Sequence, residues 1–187
     1  MELYKRKMFV LFSLLVVIGR LYDAIATYFY TPDLTNETNI LVKLFGAGWI
    51  SFAIVQTVLV CIVIFLLYFY FFKFNPDLPD KRNLTLKQFA SYLFFKNTDS
   101  IYKLFYEIPN SKKTLFAFVG YVVSMTLISI SFIVGTSTVF LIVSESYKQF
   151  YKQGMSYFLY GLIVCIVIFF TVRFFKLEYK KYQSTSV

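Results

Sequence analysis

The chain has 187 residues, of which 58% are apolar and 22% aromatic; only 16% are charged, there is no histidine, and the net charge is +9. A soluble domain sits near half apolar and a quarter charged. This composition excludes a disordered chain, a disulfide-rich secreted module and a nucleic-acid-binding domain, and it points to a membrane.

Four apolar stretches are long enough to cross a bilayer core of roughly 30 Å, which takes about 20 helical residues. Each must be helical, because hydrocarbon offers no partner to an open backbone group. The first runs from about Met8 to Tyr30, behind Lys5, Arg6 and Lys7. Its basic start suits a signal peptide, but the apolar run is too long and ends in Arg20 and Asp23 rather than a small-residue cleavage site, so it reads as a retained span. Gly19, Arg20, Asp23 and Thr27 share one face at three- and four-residue spacing. Counted from Lys7 at 1.5 Å per residue, Asp23 lies about 24 Å into the membrane. A charged group at such depth is costly and marks a functional site by default. The competing reading is an Arg20–Asp23 ion pair that only locks helices together.

The following loop carries Asp33, Glu37 and Asn39 and leads into a helix expected to start near Glu37, which Thr35 or Asn36 can cap and whose positive start Glu37 suits. Asn36-Glu37-Thr38 is a formal glycosylation sequon. Gly46 and Gly48 precede the second span, about Trp49 to Phe72, where Gln56 lies one heptad past Trp49 and faces the same way.

Residues 73–113 form a basic middle loop. Asn75-Pro76-Asp77 and Leu78-Pro79-Asp80 break the second span. A helical pattern then starts at Leu84, with Asn83 as the expected N-cap and Leu86, Phe89, Ala90 and Leu93 on one face. A second aromatic stretch covers Ile101 to Ile108. Such short amphipathic helices suit the headgroup plane of an anionic leaflet, or they pack on the ends of the bundle.

The third span runs from about Thr114 to Val143. Gly120, Ser124, Ser131, Gly135 and Thr138 fall within about 60° of one another on its helical wheel, a small-residue packing face. The fourth span runs from about Met155 to Phe175. Fifteen Lys and Arg flank the spans on the side of the termini and the middle loop, against Lys43, Lys148 and Lys152 on the other. The positive-inside rule therefore places both termini and the middle loop in the cytoplasm and explains the net charge. The expected fold is an all-α integral membrane protein, a single domain built as a four-transmembrane-helix bundle.

Val60 to Phe65 reads VCIVIF, as does Val164 to Phe169, and both spans then reach Phe-Phe-Lys. A parallel duplication of a two-helix unit leaves such a trace, and so does chance among apolar letters. Cys61 and Cys165 sit at matching depth; they are too few for a metal site, form no C-x-x-C, and read as small hydrophobes or as a reversible disulfide pair. The inner halves of the spans carry almost no strong polar group, whereas the outer halves carry many. The polar residues thus outline a cup that opens outward above a greasy plug, unlike a monomeric pore, which is polar through its full depth.

At Asp23-x-x-x-Thr27 followed by Glu37-x-Asn39, the chain resembles a family of small uncharacterised prokaryotic polytopic membrane proteins with a D-x3-T motif in the first helix and an E-x-N segment before the second. In many members that segment ends in Pro; here Ile40 follows Asn39. The match covers roughly residues 19–49. It implies that Asp23, Thr27, Glu37 and Asn39 form one constellation, in a prokaryotic inner membrane.

Three functions follow as expectations. The first is a non-enzymatic protein whose outward polar pocket binds a ligand, a lipid headgroup or a partner subunit. The candidate residues are Arg20, Asp23, Thr27, Asp33, Glu37, Asn39, Gln56, Ser131 and Thr138. The second is an outer-leaflet enzyme in which Asp23 and Glu37 act as acid and base or hold a hard divalent ion; the chain lacks histidine, a G-x-S-x-G elbow and an HExxH helix. The third is a transporter or channel subunit acting as an oligomer. The expected partners are the bilayer and either further copies of the chain or another membrane protein. No cofactor and no nucleic acid is expected.

Overall fold

The computed structural model describes residues 2–34, 48–79, 83–98, 102–103, 106–107 and 109–185. Among them, four stretches are long and apolar enough to cross a membrane: Glu2–Tyr30, Trp49–Lys73, Lys112–Val143 and Glu145–Ser184. The described residues contain no strand. The chain is an all-helical integral membrane protein.

Helix α1 spans Glu2–Tyr30 and stops before Thr31-Pro32. Helix α2 spans Trp49–Tyr68 and runs into a π-helical turn at Phe69–Lys73. The chain then turns extended at Phe74, just ahead of Asn75-Pro76, where the proline ring disfavours a helical predecessor. Helix α3 covers Leu86–Phe95. Its N-cap is Thr85 rather than Asn83. Thr85 and Gln88 form a reciprocal capping box, which satisfies more of the helix start than a lone Asn could. Asn83 itself takes a left-handed turn, with φ 65°.

Helix α4 spans Lys112–Val143 and is capped by Ser111. Ser144 caps the short α5, Glu145–Phe150. Gly154, at φ 117°, then makes a turn that a side chain would strain. Helix α6 runs from Ser156 to Thr185, ten residues beyond the expected end of the fourth span.

Helix α4 is the hub, touching α1, α2 and α6. Its small residues explain why. A Cβ at Gly19 of α1 would meet the Ser131 side chain at 3.2 Å; one at Gly135 would meet the Tyr22 ring at 2.8 Å and Asp23 Cα at 3.3 Å. A Cβ at Gly120 would strike the backbone of Leu66 on α2. The small-residue face is thus spent inside the chain, drawing α1 and α2 onto α4. The rising numbers of the α1 pairs make α1 parallel to α4; α2 is antiparallel to it, since Leu66 lies at Gly120 while Gln56 meets Ser131 through Arg20. The Thr138 hydroxyl on this face donates to the Val134 carbonyl of its own helix at 3.0 Å.

The apolar core lies at the end where α1 and α4 begin and α2 and α6 finish, termed the basic end. Leu67, Phe89, Phe94, Ala117 and Phe174 are fully buried there. Helix α3 contributes six of its ten residues to burial. It therefore packs on the bundle instead of lying free in a headgroup plane. Tyr179 and Tyr182 of α6 clamp its approach: the Tyr179 hydroxyl donates to Leu84 O at 2.7 Å, and Leu84 N donates to the Tyr182 hydroxyl at 3.3 Å. Phe89 stacks on Tyr182 with centroids 5.2 Å apart. The C-terminal carbonyls of α3 are met from the start of α4, Phe94 O by Ser111 N and Phe95 O by Asn110 Nδ2, both at 3.3 Å. Half of residues 101–108 (101, 104, 105 and 108) lie outside the described residues.

Cys61 and Cys165 are free and exposed on the helix surfaces rather than buried as core hydrophobes.

Candidate functional site

The opposite half, termed the Trp49 end, is organised by polar bonds. Arg20 on α1 donates from Nη1 to Asp23 Oδ2 at 2.8 Å, one turn along the same helix. Nη1 also donates to Ser131 Oγ on α4 at 3.3 Å. Nε and Nη2 both donate to Gln56 Oε1 on α2, at 3.1 and 2.6 Å. One guanidinium thus ties three helices. The fixed fork of the guanidinium permits this, since its donors diverge within one plane. The side chains of Arg20 and Asp23 are only 13% and 14% exposed.

Thr27 lies one turn beyond Asp23 and is buried. Asp33 Oδ1 accepts from the Thr31 hydroxyl at 3.3 Å in the turn after α1. Beside it, Trp49 Nε1 donates to Pro32 O at 2.5 Å, and the Trp49 ring meets Tyr28 and Phe52 edge-on at 5.3 and 5.4 Å. The start of α2 is thereby tied to the end of α1. Glu37 and Asn39 lie outside the described residues, as do Thr35 and Asn36. Thr138 does not join the cluster.

A cavity of about 310 Å³ opens between α1 and α2 beside this network. Arg20, Gln56 and Thr57 give it polar lining; Val17, Leu21 and Ala24 of α1 and Phe52, Ala53 and Val60 of α2 make the rest largely apolar. Leu21, Ala53, Thr57 and Cys61, which also line it, are exposed. The cavity is therefore a groove that opens sideways along the helices. Within the network the polar groups largely satisfy one another, and the open space beside them is mostly greasy.

No family model, curated protein or solved structure matches the chain.

A second polar feature escaped the sequence reading. Glu178 on α6 is fully buried at the basic end. Its Oε1 accepts from Lys181 Nζ at 2.6 Å and faces the Tyr70 hydroxyl at 3.5 Å, while Oε2 has no hydrogen-bond partner among the described residues. The available signal was that Glu178 is the one acidic residue after Glu145, three residues before Lys181. Spacing alone reads that pair as an exposed helix-surface bridge. Its burial comes from the docking of α3 and the aromatic ends of α2 and α6 around it.

Proposed function

We propose that the protein is a multi-pass membrane protein without catalytic chemistry of its own, whose Trp49 end binds a ligand at the Arg20–Asp23–Gln56–Ser131 network. The observation that carries this reading is the coincidence of the network with the groove: a charged cluster within an apolar span, and open volume next to it. The charge asymmetry, fifteen Lys and Arg against three, supports an orientation with both termini and the α3 segment in the cytoplasm. In that orientation the ion pair is intramembrane and the groove lies in the outer leaflet. The resemblance in the D-x3-T segment supports a prokaryotic inner membrane, with Asp23 and Thr27 on the binding helix.

The carboxylate-enzyme reading is weakened by Arg20, which engages Asp23 and opposes its use as a free base. The oligomeric-transporter reading loses its main structural motive, because the small-residue face of α4 packs within the chain.

The test is native mass spectrometry of the detergent-purified protein beside Asp23→Asn. An organic or lipid adduct retained by the wild type and lost in a folded Asp23→Asn protein is expected. Equal adducts in both, or none in either with only lower thermal stability in the variant, would make the ion pair purely structural.

A further inference from the structure

Resting on the reading that the network belongs to a binding site, we infer that the groove between α1 and α2 takes a single-chain amphiphile bearing an uncharged acceptor oxygen, such as an ester or amide carbonyl, at the depth of Gln56.

The shape comes first. The groove extends along α2 from Trp49 to Cys61. That interval is about 18 Å of helix, close to one leaflet of a core roughly 30 Å thick. Its volume of about 310 Å³ lies at the low end for ligand sites, which span roughly 300–1,000 Å³, so it suits one chain rather than two. A cleft that opens sideways between membrane helices faces acyl chains, not water.

The polarity follows from Gln56. Arg20 can only donate, so the amide oxygen of Gln56 must be the atom that receives Nε and Nη2. The amide NH2 is then turned away from Arg20, and it has no hydrogen-bond partner among the described residues. Gln56 lines the groove, so its free donors call for an acceptor on the occupant. Leaving a polar group unpaired in an apolar setting is costly.

The charge follows from the ion pair. The Asp23 carboxylate offsets the Arg20 guanidinium at 2.8 Å. An anionic headgroup gains no uncompensated cation in the groove wall, and an amine gains no uncompensated carboxylate. A neutral carbonyl needs neither and uses the donors that remain.

Trp49 is the chain's one tryptophan and lines the groove, so its fluorescence reports occupancy. The full-length protein in phosphatidylcholine nanodiscs is titrated with a monoacylglycerol brominated on its chain. The brominated fatty acid and fatty amine of the same chain length serve as comparisons. The inference predicts saturable quenching of Trp49 by the monoacylglycerol, reversed by its unbrominated form. Gln56→Leu should weaken that binding about tenfold, the worth of one lost hydrogen bond. Since that variant also strips Arg20 of an acceptor, Val60→Phe serves as a second variant: it fills the groove without touching the network and should abolish saturation. Quenching that rises linearly with mole fraction and is unchanged in Val60→Phe would overturn the inference, as would tighter saturation by the amine or the fatty acid. If the wild type still retains an adduct that Asp23→Asn loses, the failure is confined to the groove. If no adduct is retained at all, the underlying binding reading fails with it.

Discussion

A guanidinium on a membrane helix needs partners, and Arg20 finds them within its own helix turn and on two neighbours. The first link was legible in the sequence, because helical periodicity alone brings positions three apart together. Gln56 was legible only as sharing the face of Trp49, and Ser131 only as part of a small-residue face; their meeting at Arg20 depends on how three helices pack. Thr138 satisfies its hydroxyl on the carbonyl four residues back, a bond that no helical wheel shows. Outside the spans, Asp77 carries a titration signal. A hydrogen bond from Lys96 at 2.8 Å, together with the ammonium charge, holds its carboxyl below the ordinary value of 3.8. A carboxyl depressed in the fold stabilises it above that ordinary value and loses its contribution as pH falls through the lowered range. Asp77 is 80% exposed, so the pair is worth well under about 1 kcal/mol. Asp77→Asn should therefore lower the Tm slightly at pH 7, and the difference from wild type should shrink as pH falls below the ordinary value of 3.8 in a pH-resolved thermal scan. A deficit that grows on acidification would contradict the assignment.

At the scale of elements, the spans were readable from apolar length, although α1 begins before Met8 and α6 runs well past Phe175, where the helices extend beyond the apolar stretch. Thr85 displaced Asn83 as the cap of α3, and Gly154 set the start of α6. The small residues of α4 carry a graded prediction. Gly120→Ala drives a methyl into the Leu66 backbone and should cost about 3 kcal/mol, whereas Gly135→Ala meets a tyrosine ring that can turn and should cost about 1 kcal/mol. Gly161 has open space around it, so Gly161→Ala should be neutral or gain up to about 1 kcal/mol from helix propensity. Thermal unfolding in detergent that ranks these otherwise would break the packing account. The tyrosine clamp makes a separate claim. Tyr179→Phe and Tyr182→Phe should each cost about 1 kcal/mol and raise amide exchange across α3, Tyr182→Phe most at Leu84. Unchanged exchange would mean that ring packing alone docks the helix.

The whole molecule divides into halves held by different forces. The basic end is an aromatic core in which α3 buries Phe89, Leu93 and Phe94; on the water side such burial gains about 1.5–3 kcal/mol per side chain. Among the described residues, the Trp49 end has close glycine contacts and one charged network instead, since packing in lipid gains little from apolar burial. The sequence announced the asymmetry through the depth of its polar residues. It did not announce the sideways groove or the buried Glu178, both of which arise from helix placement rather than from any local pattern. The central claim is that the Arg20–Asp23 network serves ligand binding rather than assembly. A low-dielectric ion pair can often be replaced by apolar groups at little or no cost in stability, provided both partners go together. The decisive measurement is therefore native mass spectrometry combined with thermal unfolding of the Arg20→Met/Asp23→Leu double variant. The account predicts a folded protein with a Tm equal to or above wild type and no retained ligand. A double variant that fails to fold, or one that keeps the wild-type adduct, would contradict it.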